Sequence, residues 1–176
     1  MALFSEGILK LHWDQSVPVN LARIAKGMGL AMTLSDQLDA AALLEISAQN
    51  KPRLTLNTRQ NAVRQRYTVA HAMGHLALHH LRPGTQRDIV LSDNFALDPD
   101  SRIDTEANHF ALGLLMPEQV VTYCLNDLAL ADLNALADMF EVAPQLVKQR
   151  LADLNLRLPS KPRRDDRGRG QTIDVG

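Results

Sequence analysis

Two histidines, His71 and His75, stand four residues apart in a stretch, residues 69–78, whose other members are all apolar or glycine. Around them Val63, Tyr67, Ala70, Gly74, Ala77 and Leu81 recur in steps of four and three, which predicts a helix over residues 58–81. A helix that is apolar on most of its circumference is enclosed by protein. Imidazoles inside it must find partners, because a buried polar group without one costs about 1–3 kcal/mol. At this spacing both rings project from one face, one turn apart, and can converge on a single ion. The alternative for a bare pair is two buried histidines bonded to backbone.

The next stretch of chain favours the ion. A second helix is predicted over residues 101–116, with Ile103, Ala107, Phe110 and Leu114 as its buried stripe. It carries Asp104 and, one turn on, Asn108. A catalytic zinc site takes three protein ligands and leaves a position open, so Asp104 would complete a His71, His75, Asp104 set for Zn2+. Asn108 would orient a ligand histidine through its outer ring nitrogen. Glu106 is the alternative acid, but two residues from Asp104 it points elsewhere on the helix. Cys124 is the chain's one cysteine, so neither a disulfide framework nor a thiolate metal site is expected.

The rest of the chain sets the scale of the molecule. Its 176 residues, 45% hydrophobic and 22% charged, fit one compact core. A formal charge of -1 gives no global attraction to nucleic acid, so DNA is expected to be an indirect partner at most. No apolar run reaches membrane-spanning length, and the opening residues lack the order of a secretion signal, so a cytoplasmic protein with no membrane role is expected. Residues 17–28 have helical spacing, with Pro18 in the first turn and Gly29 as the stop. Residues 30–35, 42–47 and 53–57 read as strands, and the turn chemistry of residues 49–52 makes the last two antiparallel neighbours. A connector over residues 88–99 comes after the central helix, with a short strand possible at 88–91.

After Pro117, helical patterns at residues 117–125, 132–140 and 144–154 form an annex, and LADMFEVAPQLVKQRL within it has the form of a helix-turn-helix pair. The expected class is α+β: a mostly helical domain over residues 1–126 with a small three-stranded antiparallel sheet, and a helix-turn-helix-like annex over 127–158 packed on it. Residues 159–176, rich in Pro, Gly and charge, read as a disordered tail. A DNA-binding reading of the annex rests on Lys148 and Arg150 alone.

Taken together, RQRYTVAHAMGHLALHH and DTEANHFALGLLMPE resemble the ImmA/IrrE-type zinc metallopeptidase family. Arg66, His71, Gly74 and His75 match its first motif. Ala107, Asn108, Phe110, Ala111, Leu114, Leu115, Met116 and Pro117 match its second. The resemblance implies a zincin-like fold and a regulatory endopeptidase that cleaves helix-turn-helix transcriptional repressors of the Xre type. Two positions depart from the family. Ala72 stands where its motif has the general-base Glu that deprotonates water, and Asp104 stands where it has a metal-binding Glu. Loss of such a base typically costs about 10²–10⁴-fold in rate. Because both ligand histidines, Gly74 and the second motif are kept while the one group needed for turnover is gone, the alanine points to an engineered substitution that silences a peptidase. A natural loss, leaving a metal-binding regulator that binds a repressor uncut, is the alternative. Under the peptidase reading the oxyanion donor would come from His109, Tyr123 or Tyr67, and substrate would lie extended along an exposed strand edge. His79 and His80 read as exposed residues at the helix end.

Overall fold

The computed structural model describes residues 2–160, which hold seven helices and four strands. The tail expected from residue 159 lies, from 161 onward, outside the described residues. Helix α1 (Ala2–His12), which periodicity did not announce, packs against the second site helix. Helix α2 (Leu21–Gly27) is shorter than expected: Asn20 caps it by accepting from the Arg23 amide at 3.1 Å, which leaves Pro18 outside. It buries Leu21, Ile24 and Ala25.

The sheet corrects the expected three-stranded antiparallel arrangement. Strands β1 (Ala31–Ser35), β2 (Ala42–Ile46), β3 (Pro52–Asn57) and β4 (Thr85–Ile89) form one mixed sheet in the order β1-β3-β2-β4. Strands β1 and β2 run in opposite directions with a gap one strand wide between them. Strand β3 returns through a turn at Asn50 (φ 59°) and fills that gap, antiparallel to β2 and parallel to β1. Asn57 at its end donates to the carbonyls of Leu38 and Ala40 at 3.0 and 2.9 Å, which pins the link between β1 and β2. The burial pattern agrees: Ala42, Leu44 and Ile46 of β2 and Leu54 and Leu56 of β3 are buried, whereas β1 is exposed. Strand β4 enters from Gly84, whose left-handed φ of 79° suits a residue without Cβ, and its amide bonds Ile46 O at 2.7 Å. Its sequence TQRDI contributes one buried residue, Ile89, so no apolar alternation announces its start, and the short strand expected at residues 88–91 overlaps only its last two residues.

Helix α3 (Ala62–Ala77) is capped by Asn61, which accepts from the Arg64 amide at 2.9 Å. It lies between the sheet and helix α4 (Arg102–Leu115). Residues 67–75 are buried without interruption, as the apolar run demands. Gly74 sets the depth of the α3–α4 contact, because a Cβ there would meet Ala107 O at 2.8 Å and Ala107 Cα at 3.0 Å. The two backbones touch at that point. Only glycine permits this approach, and it brings the first turn of α4 against the histidine face of α3.

Helices α5 (Glu118–Asn126), α6 (Leu133–Phe140) and α7 (Pro144–Asp153) complete the described chain. A left-handed Glu141 (φ 52°) ends α6. Helices α6 and α7 do not present a free helix-turn-helix face, since α7 turns inward to the core, and this counts against the DNA-binding reading of the annex. Its Leu146, Val147 and Leu151 are buried, and Arg150 is buried too, donating from Nε to Met116 O at 3.0 Å. Gln149 and Asp153 bond Asn108 and His109 of α4. Arg150 is therefore tied to the protein's own backbone and is no phosphate contact.

Candidate metal centre

His71 and His75 project from successive turns of α3, with ring centroids 4.8 Å apart. Their Nε2 atoms lie 3.1 Å from each other. Asp104, in the first turn of α4, brings Oδ1 to 3.1 Å from His75 Nε2 and 3.7 Å from His71 Nε2. For zinc bonded at about 2.05 Å, the ligand atoms of a tetrahedron stand about 3.3 Å apart. The three observed separations straddle that edge length, so these side chains are already placed at three corners. His71 is 3% exposed and His75 is fully buried, while the Asp104 side chain keeps 25% of its surface. Asp104 is thus the most solvent-exposed member of the set. Among the described residues, His71, His75 and Asp104 are the group of three whose donors converge closely enough to hold a metal ion.

The outer nitrogens of both rings are occupied, and their partners fix which nitrogen carries the proton. The Tyr67 hydroxyl donates to Asn108 Oδ1 at 2.5 Å, leaving its oxygen to accept from His71 Nδ1 at 3.4 Å. His75 Nδ1 lies 2.9 Å from His80 Nδ1, and His80 Nε2 lies 3.0 Å from Glu106 Oε2. A carboxylate only accepts, so His80 carries its proton on Nε2 and accepts from His75 on Nδ1. Both ligand histidines then present bare Nε2 lone pairs to one another and to a carboxylate oxygen. Three acceptors crowded in a buried space repel, and a cation between them removes the repulsion. The donor set is thereby suited to a metal.

Electrostatics match this assignment. Burial, with His71 and Arg87 nearby, pushes His75 down to about 3, so its ring is neutral at pH 7 despite the opposing pull of Asp104. Asp104 is held well below the usual carboxylate range by its neighbours His71, Ser101 and Arg87, of which Ser101 and Arg87 donate hydrogen bonds to it. Arg87 of β4 reaches both Asp104 oxygens from Nη2, at 2.9 and 3.0 Å, and Ser101 donates to Oδ2 at 2.5 Å. Burial, and then Asp104, push the Tyr67 phenol up, which keeps it a protonated donor.

The other sequence candidates fall in distinct places. Glu106 faces His80 and accepts from Arg102 Nε at 2.7 Å, away from the convergent nitrogens. Asn108 reaches His71 through Tyr67 and also donates to Gln149 Oε1 at 3.1 Å. Of the three oxyanion candidates, Tyr67 lies behind His71. His109 pairs with Asp153 at 2.9 Å, and Tyr123 is 52% exposed on α5. Ala72, beside His71, is fully buried. Arg66 donates to Val19 O at 3.1 Å and approaches Glu141, which ties α3 to the approach to α2.

Two residues of the centre are not recognisable from sequence. Arg87 sits in a strand without apolar alternation, and His80 was expected to be exposed. His80 instead has a side chain only 7% exposed, because His79 turns left-handed (φ 57°) and folds it back onto the helix.

The family model described as the IrrE N-terminal-like domain, peptidase family M78, matches residues 15–152. No curated protein matches the chain. The matched span contains both histidines, Asp104 and every strand, and extends through nearly all of α7.

Proposed function

We propose, from the premise that this chain belongs to the IrrE N-terminal-like peptidase family, that it holds zinc at His71, His75 and Asp104. On this reading it engages helix-turn-helix transcriptional repressors, with Ala72 a silencing replacement of the family's catalytic Glu. The observation that carries the reading is the convergence of three bare donor atoms at near-tetrahedral spacing. When bound, zinc supplies Lewis-acid polarisation of a carbonyl and acidifies a water. The chain's residues supply the rest. Tyr67 and His80 hold the two rings, Arg87 and Ser101 hold the carboxylate, and the outer edge of β4 offers main-chain partners to an extended peptide beside Arg87. No group at position 72 takes a proton, so hydrolysis by this chain is expected about 10²–10⁴-fold below that of its Ala72→Glu variant.

The complete burial of Ala72 favours a second reading, in which alanine is native and the protein binds a repressor without cutting it. In either case residues 127–158 act as an annex docked on α4 and not as an independent domain. Ala72→Glu, loaded with zinc and incubated with Xre-type repressors, discriminates the two. Zinc-dependent fragments support the silenced peptidase. A folded, zinc-loaded Ala72→Glu protein that cuts none of them overturns it, and repressor binding by the unaltered chain then supports the regulator.

A further inference from the structure

We propose that His80, backed by Glu106, is a positioning residue for the metal: it accepts the Nδ1 proton of His75 and thereby fixes that ring with Nε2 bare and aimed at the ion. The inference rests on the proposed zinc site and adds to it a residue outside the ligand set. Its basis is a continuous chain of contacts. His75 Nδ1 meets His80 Nδ1 at 2.9 Å, His80 Nε2 meets Glu106 Oε2 at 3.0 Å, and Arg102 Nε donates to Glu106 Oε1 at 2.7 Å.

The backbone is built to deliver this contact. Helix α3 ends at Ala77, His79 takes the left-handed conformation, and the His80 amide bonds His75 O at 2.9 Å. His75 and His80 are therefore joined twice, once through the main chain and once through their rings. A helix running on past Ala77 would carry residue 80 away from the ring of residue 75, because five positions span well over one turn. The reversal at a non-glycine residue is a local backbone cost that the His80 contacts offset. Glu106 belongs to α4, one residue beyond Thr105 from Asp104, so the same helix turn supplies a proposed ligand and the base of the brace. Metal-bound histidines are commonly oriented in this way by a carboxylate or carbonyl; here a second imidazole is interposed.

The test measures the zinc dissociation constant of the full chain by chelator competition, for the unaltered protein and for His80→Ala, His80→Gln and Glu106→Ala. Thermal unfolding without metal reports whether each variant is folded. His80→Ala is expected to weaken zinc binding about 10–100-fold. Gln carries one acceptor and one donor in the same side chain, so His80→Gln should recover most of that loss. Nitrogen-15 NMR should show His75 protonated on Nδ1 in the unaltered chain and shared between both nitrogens in His80→Ala. Equal zinc affinity in His80→Ala, or a Gln variant no better than Ala, overturns the assignment. If His80→Ala fails to fold, Glu106→Ala decides, with a loss of about 10-fold expected and no loss contradicting. Absence of zinc binding by the unaltered chain overturns the zinc site itself, whereas tight binding by every variant removes only the role of His80.

Discussion

Replacing Gly74 by alanine tests the link between packing and metal binding. The added Cβ would sit 2.8 Å from Ala107 O and 3.0 Å from Ala107 Cα, where ordinary contact begins at 3.4 Å. Both obstacles are backbone, so no side chain can swing away. The helices must separate by about 0.6 Å, and overpacking of this kind costs about 1–3 kcal/mol. For a chain of this length that is a fall of about 2–12 °C in Tm. Asp104 rides on α4, three residues before Ala107, so its 3.1 and 3.7 Å separations from the histidine nitrogens would lengthen with it. The zinc-loaded protein should therefore lose more stability than the metal-free one. Calorimetry of both forms, with chelator competition for zinc, provides the readout. A Gly74→Ala protein with unchanged Tm and unchanged zinc affinity would refute the claim that this contact positions the carboxylate.

The same geometry sets three other outcomes. Tyr67→Phe removes the hydroxyl between His71 and Asn108 and should weaken zinc binding about 10–100-fold in a chelator competition, with about 1–3 kcal/mol of stability lost in urea unfolding. Arg87→Leu strips Asp104 of its cation; the metal-free protein should melt lower, by about 2–12 °C, while zinc, as a replacement cation, should restore much of the loss in a thermal scan. In metal-free protein His75 is pushed down to about 3 from an ordinary value of 6.5, so the unfolded chain binds more protons between those limits. Its contribution is present above pH 6.5 and is lost as pH falls toward 3, with a slope of at most about 1.4 kcal/mol per pH unit. Urea titrations at several pH values measure it, and a flat profile across that window would contradict a buried neutral ring.

The sequence was informative where chemistry and periodicity were local. An apolar helix interrupted only by two histidines left few ways to satisfy them, and the stripe on α4 placed Asp104 within reach. The β2–β3 hairpin was legible from the turn between its strands. Strand direction elsewhere was not, since the parallel β1–β3 pairing depends on a gap that only the tertiary path creates. Strand β4 has one buried residue, so alternation did not reveal its start; the strand expected at residues 88–91 began one position past Arg87, which was missed for that reason. His80 was read as exposed for a different reason. Its position depends on a left-handed His79, and neither helix periodicity nor composition signals that a non-glycine residue will reverse the chain there. Asn108 was placed on the right helix, but its route to His71 runs through Tyr67, a residue whose aromatic ring reads as core and whose hydroxyl does the bridging.

X-ray absorption spectroscopy at the zinc edge, on the full chain loaded with one equivalent of zinc, tests the central claim most directly. Two imidazole nitrogens at about 2.0–2.1 Å and light oxygen scatterers at about 2.0–2.2 Å should appear, and His71→Ala or His75→Ala should each remove one imidazole. A spectrum of zinc surrounded by water oxygens alone, unchanged by either substitution, would contradict the account.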